Sequence, residues 1–380
     1  MLLLTNMIDI KPEIYGPKKN DITMSITQLS TEILQKIYEY ATVKDVIHLA
    51  QTSKKNYRAF LGRRLNILEL AMYNSYSPLP ELVKLVVANE PDKTRKLLST
   101  ELRRNATINR IIEIQGVPKL SMELIIKMVR YGKIADRWSE IYPRVRWRHN
   151  SINRRFLRPH EQERLRGAIY RYWTYNAVFH DQLFIYYDPD LPRSRDDPRL
   201  RLLRTYSTIE LVQLTEYIDK MQQIIQVDLY PSNSMVHSQY LHPVPPKALA
   251  NMGWGDGEAH RCLVLDLMKY SPSDFLHLYE NTTSKTQRLE YFLMQGKDFM
   301  DAPATLRDSI AIVNLQRKTG LEIDTNIFDE EIEFGVVDYP DDARPSDCEG
   351  HAWANDGWMT EGEPDPGRTV WDVSESEDEF

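Results

Sequence analysis

Cysteine is nearly missing from this sequence: Cys262 and Cys348 are the only two among 380 residues. Two thiols exclude a disulfide framework and a four-thiolate zinc site within one chain. They fit a reducing compartment, cytosol or nucleus. Long apolar runs are missing as well. No stretch approaches the ~18 apolar residues of a membrane span. The opening MLLL gives way at once to Thr5, Asn6 and Asp9, too short a run for a signal-peptide core. Strand-like alternation is scarce, no Asn-Gly hairpin turn occurs, and no repeat is found, which argues against leucine-rich and propeller architectures.

What is present is helical periodicity. Residues 207–227 open with Ser207 and Glu210, spaced as a capping box, and carry Leu211, Leu214, Ile218, Met221 and Ile225 on one stripe. Residues 121–132 place Met122, Ile125, Ile126 and Val129 on one face, with Gly132 as the expected C-terminal stop. Residues 77–90 predict a helix with Pro78 at its first position, and 305–320 one that ends at Gly320. Two segments read as loops: 188–199, with three prolines, and 229–258, rich in Pro and Gly.

Charge is distributed unevenly. Residues 321–380 hold 20 Asp/Glu against 2 Arg, which leaves 46 basic and 35 acidic residues in 1–320. A basic body therefore carries an acidic tail, and its composition predicts disorder. The same is expected of residues 1–24. The reading is a mainly α protein: a three-helix module over 25–66, an irregular α-helical body over 67–320, and the tail.

The module needs closer attention. Residues 31–40 predict a helix with Ile33, Leu34, Ile37, Tyr38 and Ala41 on one face and Glu32 in the first turn, where the helix dipole favours an acid. Thr42 and Asp45 cap a second short helix bearing Val46, Leu49 and Ala50. Thr52 or Ser53 caps a third bearing Tyr57, Phe60 and Leu61. Three helices this short hide little surface among themselves. Some of their apolar residues must meet the rest of the chain or another protein.

The order Leu29-x-x-Glu32-Ile33-Leu34-x-x-Ile37, followed by Val43-x-x-Val46-Ile47-x-Leu49-Ala50-x-Thr52-Ser53-Lys54-x-x-Tyr57, resembles an F-box. Ser30 stands where that family prefers Pro. Residues 154–181, an acid-rich turn leading into an aromatic helix, resemble a segment of F-box proteins of filamentous fungi. The resemblance implies a non-enzymatic role without cofactor or metal. The module would dock on the Skp adaptor, and through it a cullin, while the body recruits an unknown protein substrate for ubiquitin transfer. Leu29, Ser30, Ile33, Leu34, Ile37, Val46, Ile47 and Leu49 are the implied adaptor contacts, each also open to internal packing.

Other constellations carry weaker signals. Tyr170, Tyr172, Trp173, Tyr175 and Phe179, interleaved with Arg158, Arg164, Arg166 and Arg171, could stack bases and hold phosphates, which gives the alternative of a nucleic-acid-associated regulator. Their helical spacing equally suits a core. His160 begins HEQER, which lacks the second His of a zinc-protease motif, since position 164 is Arg. Gly253, Gly255 and Gly257 follow no strand and precede no Lys-Ser/Thr, so they make a poor phosphate loop. His260 and Cys262 lack a third orienting group, and Cys348 with His351 lacks two further ligands. Trp353, Trp358 and Trp371 could anchor the tail on the basic body, with its Arg-rich run 137–158. Ser374 and Ser376 lie among acids that suit acid-directed kinases.

Overall fold

The structure, a computed structural model, describes residues 26, 29–89, 100–148, 152, 154–180, 197–240, 243–295 and 305–319. The predicted disorder of 1–24 and 321–380, the stop at Gly320 and most of the loop 188–199 lie outside the described residues. Those described are mainly helical, with no strand among them and no helix long and apolar enough to cross a membrane.

Helices start where the polar caps stand. In α1 (Thr31–Tyr40) the Ser30 Oγ accepts from the Ile33 N–H at 3.4 Å. Ahead of α2 (Val43–Thr52), Thr42 and Asp45 form a reciprocal capping box. Ser53 caps α3 (Lys54–Gly62) by accepting from the Asn56 N–H at 3.1 Å. Each such cap stabilises its helix by about 1 kcal/mol, much of what a helix this short requires.

The expected module edge at residue 66 falls inside a helix, α4 (Arg64–Tyr76). This helix packs against α1 and α2, and also against α7 (Met122–Arg146) of the body. Three consecutive residues make the join. Asn74 Nδ2 donates to the carbonyls of Glu39 and Ala41 at 2.9 and 3.2 Å, and Ser75 Oγ accepts from the Val43 N–H at 2.8 Å. The Tyr76 ring lies against Gly132.

Gly132 is therefore no terminator. α7 continues through it to Arg146. A Cβ at position 132 would stand 2.6 Å from the Tyr76 ring. The glycine is there so that two helices can approach closely, and that outweighs its poor helix propensity. Pro78 also differs from expectation: α5 (Leu79–Asn89) opens one residue later, with the Pro78 carbonyl accepting from the Leu82 N–H at 3.3 Å. After α6 (Thr100–Glu113) and α7 comes α8 (Pro159–Phe179), which packs against α5, α6, α7 and α10 (Thr208–Ile224) and runs through the middle of the core. α9 (Pro198–Leu203) precedes α10, whose Ser207–Glu210 capping box forms as expected.

The segment 229–258 is not the long loop expected. It follows a π turn, Ile225–Leu229, and contains α11 (Asn233–Gln239) and α12 (Pro246–Met252). Both helices are short and carry little apolar stripe, so periodicity could not reveal them. α13 (Gly257–Leu267), α14 (Pro272–Asn281), α15 (Lys285–Gln295) and α16 (Leu306–Thr319) complete the body.

The polar tips of α8 hold distant turns. Tyr170 Oη donates to the Tyr76 carbonyl at 3.2 Å, and Arg166 Nε to the Ser77 carbonyl at 3.0 Å. Tyr172 Oη donates to the Met268 carbonyl. Tyr175 Oη meets Thr305 Oγ1 and Ser309 Oγ at 2.9 and 3.1 Å. Asn176 Nδ2 donates to the carbonyls of Met268 and Tyr270 at 3.1 and 3.0 Å. With its nitrogen so committed, Asn176 turns Oδ1 toward His180 Nδ1 at 3.1 Å, which makes that ring nitrogen the protonated one. Burial, with Lys269 and then Arg199 adding positive charge, pushes the His180 pKa down to about 3.

Two outcomes follow from this packing. Gly132→Ala should lower the thermal midpoint, by a stability loss of about 1–3 kcal/mol, where an ordinary mid-helix Gly→Ala exchange would raise it. His180 stays neutral in the folded state while the unfolded chain protonates near its ordinary 6.5, so stability is intact above that pH and falls as pH drops toward 3. Urea melts at pH 7 and pH 5 should differ by up to about 1.4 kcal/mol per pH unit below 6.5 from this group, and His180→Gln should remove most of that difference.

Candidate functional site

The five apolar residues expected on one face of α1 separate into two stripes. Leu34, Tyr38 and Ala41 point inward; Tyr38 packs near Phe60 and its Oη donates to the Asn56 carbonyl at 3.2 Å. Ile33 points outward and is 49% exposed, Ile37 is half-buried, and Tyr40 is 83% exposed. Positions 33, 37 and 40 recur at i, i+4 and i+7 and so form one ridge along the helix.

The remaining implied contacts divide in the same way. Leu34 and Val46 are both 0% exposed and belong to the continuous core, so they offer no surface to a partner. Their role is packing, because α3 and α4 close over the inner side of α1 and α2. Leu29, Ile47 and Leu49 are half-buried against that core. Ser30 is exposed and occupied as the cap of α1, so a helix start without Pro forms here. Lys55 Nζ donates to the Leu29 carbonyl at 2.6 Å and ties the lead-in segment to α3.

Tyr40, Ile26, Leu65 and Tyr73, none of them singled out above, are exposed on or beside the same four helices, and so is Leu61, expected on the apolar stripe of the third helix. The signal for Tyr40 was its i+7 spacing from Ile33. For the others no local pattern separates an outward residue from a core one.

The body offers less. Tyr170, Tyr172, Trp173, Tyr175 and Phe179 are buried, as are Arg166 and Arg171. Arg171 pairs with Glu210 and lies 3.7 Å from Glu81, and Arg166 pairs with Asp136 at 3.2 Å. These aromatics form core and present no stacking platform. His160 sits in the first turn of α8. Cys262 is exposed on α13, and its thiol pKa is raised, first by partial desolvation and then by the Glu258 carboxylate, the opposite of nucleophile activation. His260 Nε2 donates to the Tyr230 carbonyl at 2.7 Å, away from any base role toward the thiol. Gly255, ahead of α13, and Gly257, its first residue, adopt positive φ, and Gly253 packs on Asn233, where a Cβ would meet Oδ1 at 2.0 Å. No cluster of His, Cys, Asp and Glu suited to a metal occurs among the described residues. Cys348, His351, the three tail tryptophans, Ser374 and Ser376 lie outside them.

Comparisons with protein-family models, with curated proteins and with solved structures find no match.

The two stripes of α1 should separate in stability measurements. Leu34→Ala should cost about 2–4 kcal/mol by chemical denaturation, and Ile33→Ser no more than about 0.5 kcal/mol. Equal losses would place Ile33 in the core.

Proposed function

We propose that this protein is the substrate-receptor subunit of a Skp–cullin–F-box ubiquitin ligase. The observation that carries the reading is the outward ridge Ile33–Ile37–Tyr40 on a capped short helix whose opposite side is already sealed by the chain's own core. Ridges of this kind, at i, i+4 and i+7, are how a helix presents anchors to a groove. The adaptor-facing set is Leu29, Ser30, Ile33, Ile37, Ile47 and Leu49, with Tyr40 added and Leu34 and Val46 withdrawn. The helical body recruits the protein substrate.

In this role the chain does no chemistry of its own. It holds a substrate lysine near a charged conjugating enzyme, and the gain is effective concentration: a bimolecular transfer becomes nearly intramolecular. A rigid join between docking module and body favours that gain, because a fixed span loses less of it than a loose one. The α8 aromatics are buried, which removes the stacking platform that the nucleic-acid alternative relied on.

The test is co-purification of the full chain with the Skp adaptor. Ile33→Asp with Tyr40→Ser should reduce retention at least about tenfold, the loss of one or two interface anchors. Circular dichroism and the melting midpoint should stay unchanged, since both residues face outward. Undiminished retention of the adaptor by the folded double variant, or no retention by the parent chain, would sink the reading.

A further inference from the structure

Residues 53–64 contain Lys54, Lys55, Arg58, Arg63 and Arg64 and no Asp or Glu. In α3, Lys54, Lys55 and Arg58 lie within about 100° of one another around the helix, opposite the buried Asn56, Ala59 and Phe60. All three are exposed, as is Arg63 at the helix end. Among the described residues, Lys54, Arg58, Arg63 and Arg64 make no ion pair. Lys36 of α1 pairs with Glu39 at 2.7 Å, and Lys55 of α3 donates to the Leu29 carbonyl at 2.6 Å just ahead of α1, so the basic face of α3 adjoins that helix.

The Arg-rich run 137–158 is, by contrast, largely neutralised by the chain's own acids. Arg137 pairs with Glu140 and Glu280, Arg146 and Arg155 with Glu161, and Arg148 with Asp228. Arg144, Arg154 and Arg158 remain exposed there, interspersed with these carboxylates. On the outer face of α3, by contrast, Lys54 and Arg58, with Arg63 at the helix end, make no ion pair among the described residues, while Lys55 donates to the Leu29 carbonyl and lies close enough to Glu32 to act on its charge.

We propose that residues 371–380, WDVSESEDEF, dock in cis on the outer face of α3, with their carboxylates on Lys54, Lys55, Arg58 and Arg63. The segment holds five acids and no base, and Trp371 precedes them. Leu61, exposed on the same arc as Lys54 and Arg58, and Leu65 nearby give Trp371 apolar ground. Reach is ample. Fifty-one residues separate Thr319 from Trp371, and that many residues reach up to about 170 Å when extended. Tethering at that length supplies an effective concentration near the millimolar range, so contacts weak in trans suffice in cis. The contact stands or falls apart from the adaptor reading, although it would lie beside the Ile33–Tyr40 ridge.

Zero-length carbodiimide crosslinking of the full chain with peptide mapping tests it. Yields are normalised to the Lys127–Glu123 pair, whose atoms stand 2.7 Å apart within one helix. Lys54 and Lys55 should be the main lysines joined to carboxylates of 372–379. Their yield should fall at least fivefold in 0.5 M salt, and by as much in Arg58→Glu/Arg63→Glu, which keeps both reporter lysines. Arg154→Glu/Arg158→Glu should leave it unchanged. Crosslinks spread evenly over other exposed lysines such as Lys133 and Lys247, or a yield at Lys54 and Lys55 that the α3 reversal does not alter, would overturn the proposal.

Discussion

A helix that carries Tyr170, Tyr172, Tyr175, Arg166, Arg171 and Asn176 can be buried only if each polar tip meets a partner in the interior. α8 is buried from Leu165 to Phe179, with only Ala177 partly exposed, and the rest of the fold is arranged to meet that requirement. Its tips reach carbonyls at residues 76–77 and 268–270 and hydroxyls at 305 and 309, three places far apart in sequence. An unmade bond at such a site would cost about 1–3 kcal/mol, so these contacts specify which turn lies where. Apolar burial supplies the driving force, but it is indifferent to register; the tyrosine hydroxyls are not. The helix begins on the same principle. Glu161, fully buried, accepts both nitrogens of the Arg155 fork at 2.6 and 2.7 Å and the Arg158 N–H at 2.6 Å, with Arg146 3.6 Å away. A buried carboxylate is tolerable here because two guanidiniums and a helix N-terminus surround it.

That requirement extends to the amino-terminal helices through α4. Asn74 and Ser75 hold the junction of α1 and α2, while the next residue, Tyr76, lies on Gly132 and its carbonyl accepts from Tyr170. Three neighbouring residues thus connect the short helices to the central one without a flexible linker between them. Such a join transmits orientation. Under the proposed role, the geometry between an adaptor on α1 and a substrate on the body is then set by packing, and not by the statistics of a tether.

How much of this could be read from the residues depends on the range of the interaction. Caps are local, and Thr42 with Asp45, Ser53, and Ser207 with Glu210 stand in the structure where spacing placed them. The phase of α1 was not legible. Adjacent Ile33 and Leu34, repeated at Ile37 and Tyr38, give two stripes 100° apart, and nothing within ten residues says which one the chain will cover. The covering surface, α3 with α4, is decided elsewhere. Gly132 misled for the same reason: a glycine near the end of an apolar stripe looks like a stop until Tyr76, 56 positions away, is seen against it. The aromatic run 170–179 was ambiguous between stacking platform and core, and burial decides it.

Net charge needs the same caution. Residues 1–320 carry eleven more basic than acidic side chains, yet that excess is not a uniform field. Arg146, Arg166, Arg171 and Arg199 are interior and paired with Glu161, Asp136, Glu210 and Asp197. They act as planar hydrogen-bonding struts, a use that suits guanidinium better than ammonium. Interior pairs cancel at close range and project little potential. What reaches solvent is the exposed charge that makes no ion pair, and among the described residues Lys54, Arg58 and Arg63 in the stretch 53–64 are of that kind. An exposed charge acts over roughly a Debye length, about 8–10 Å at moderate salt. Bases spread over only ten residues therefore add their fields, while the same number dispersed among carboxylates would not. The electrostatic character of this surface follows from which arginines the core has already taken.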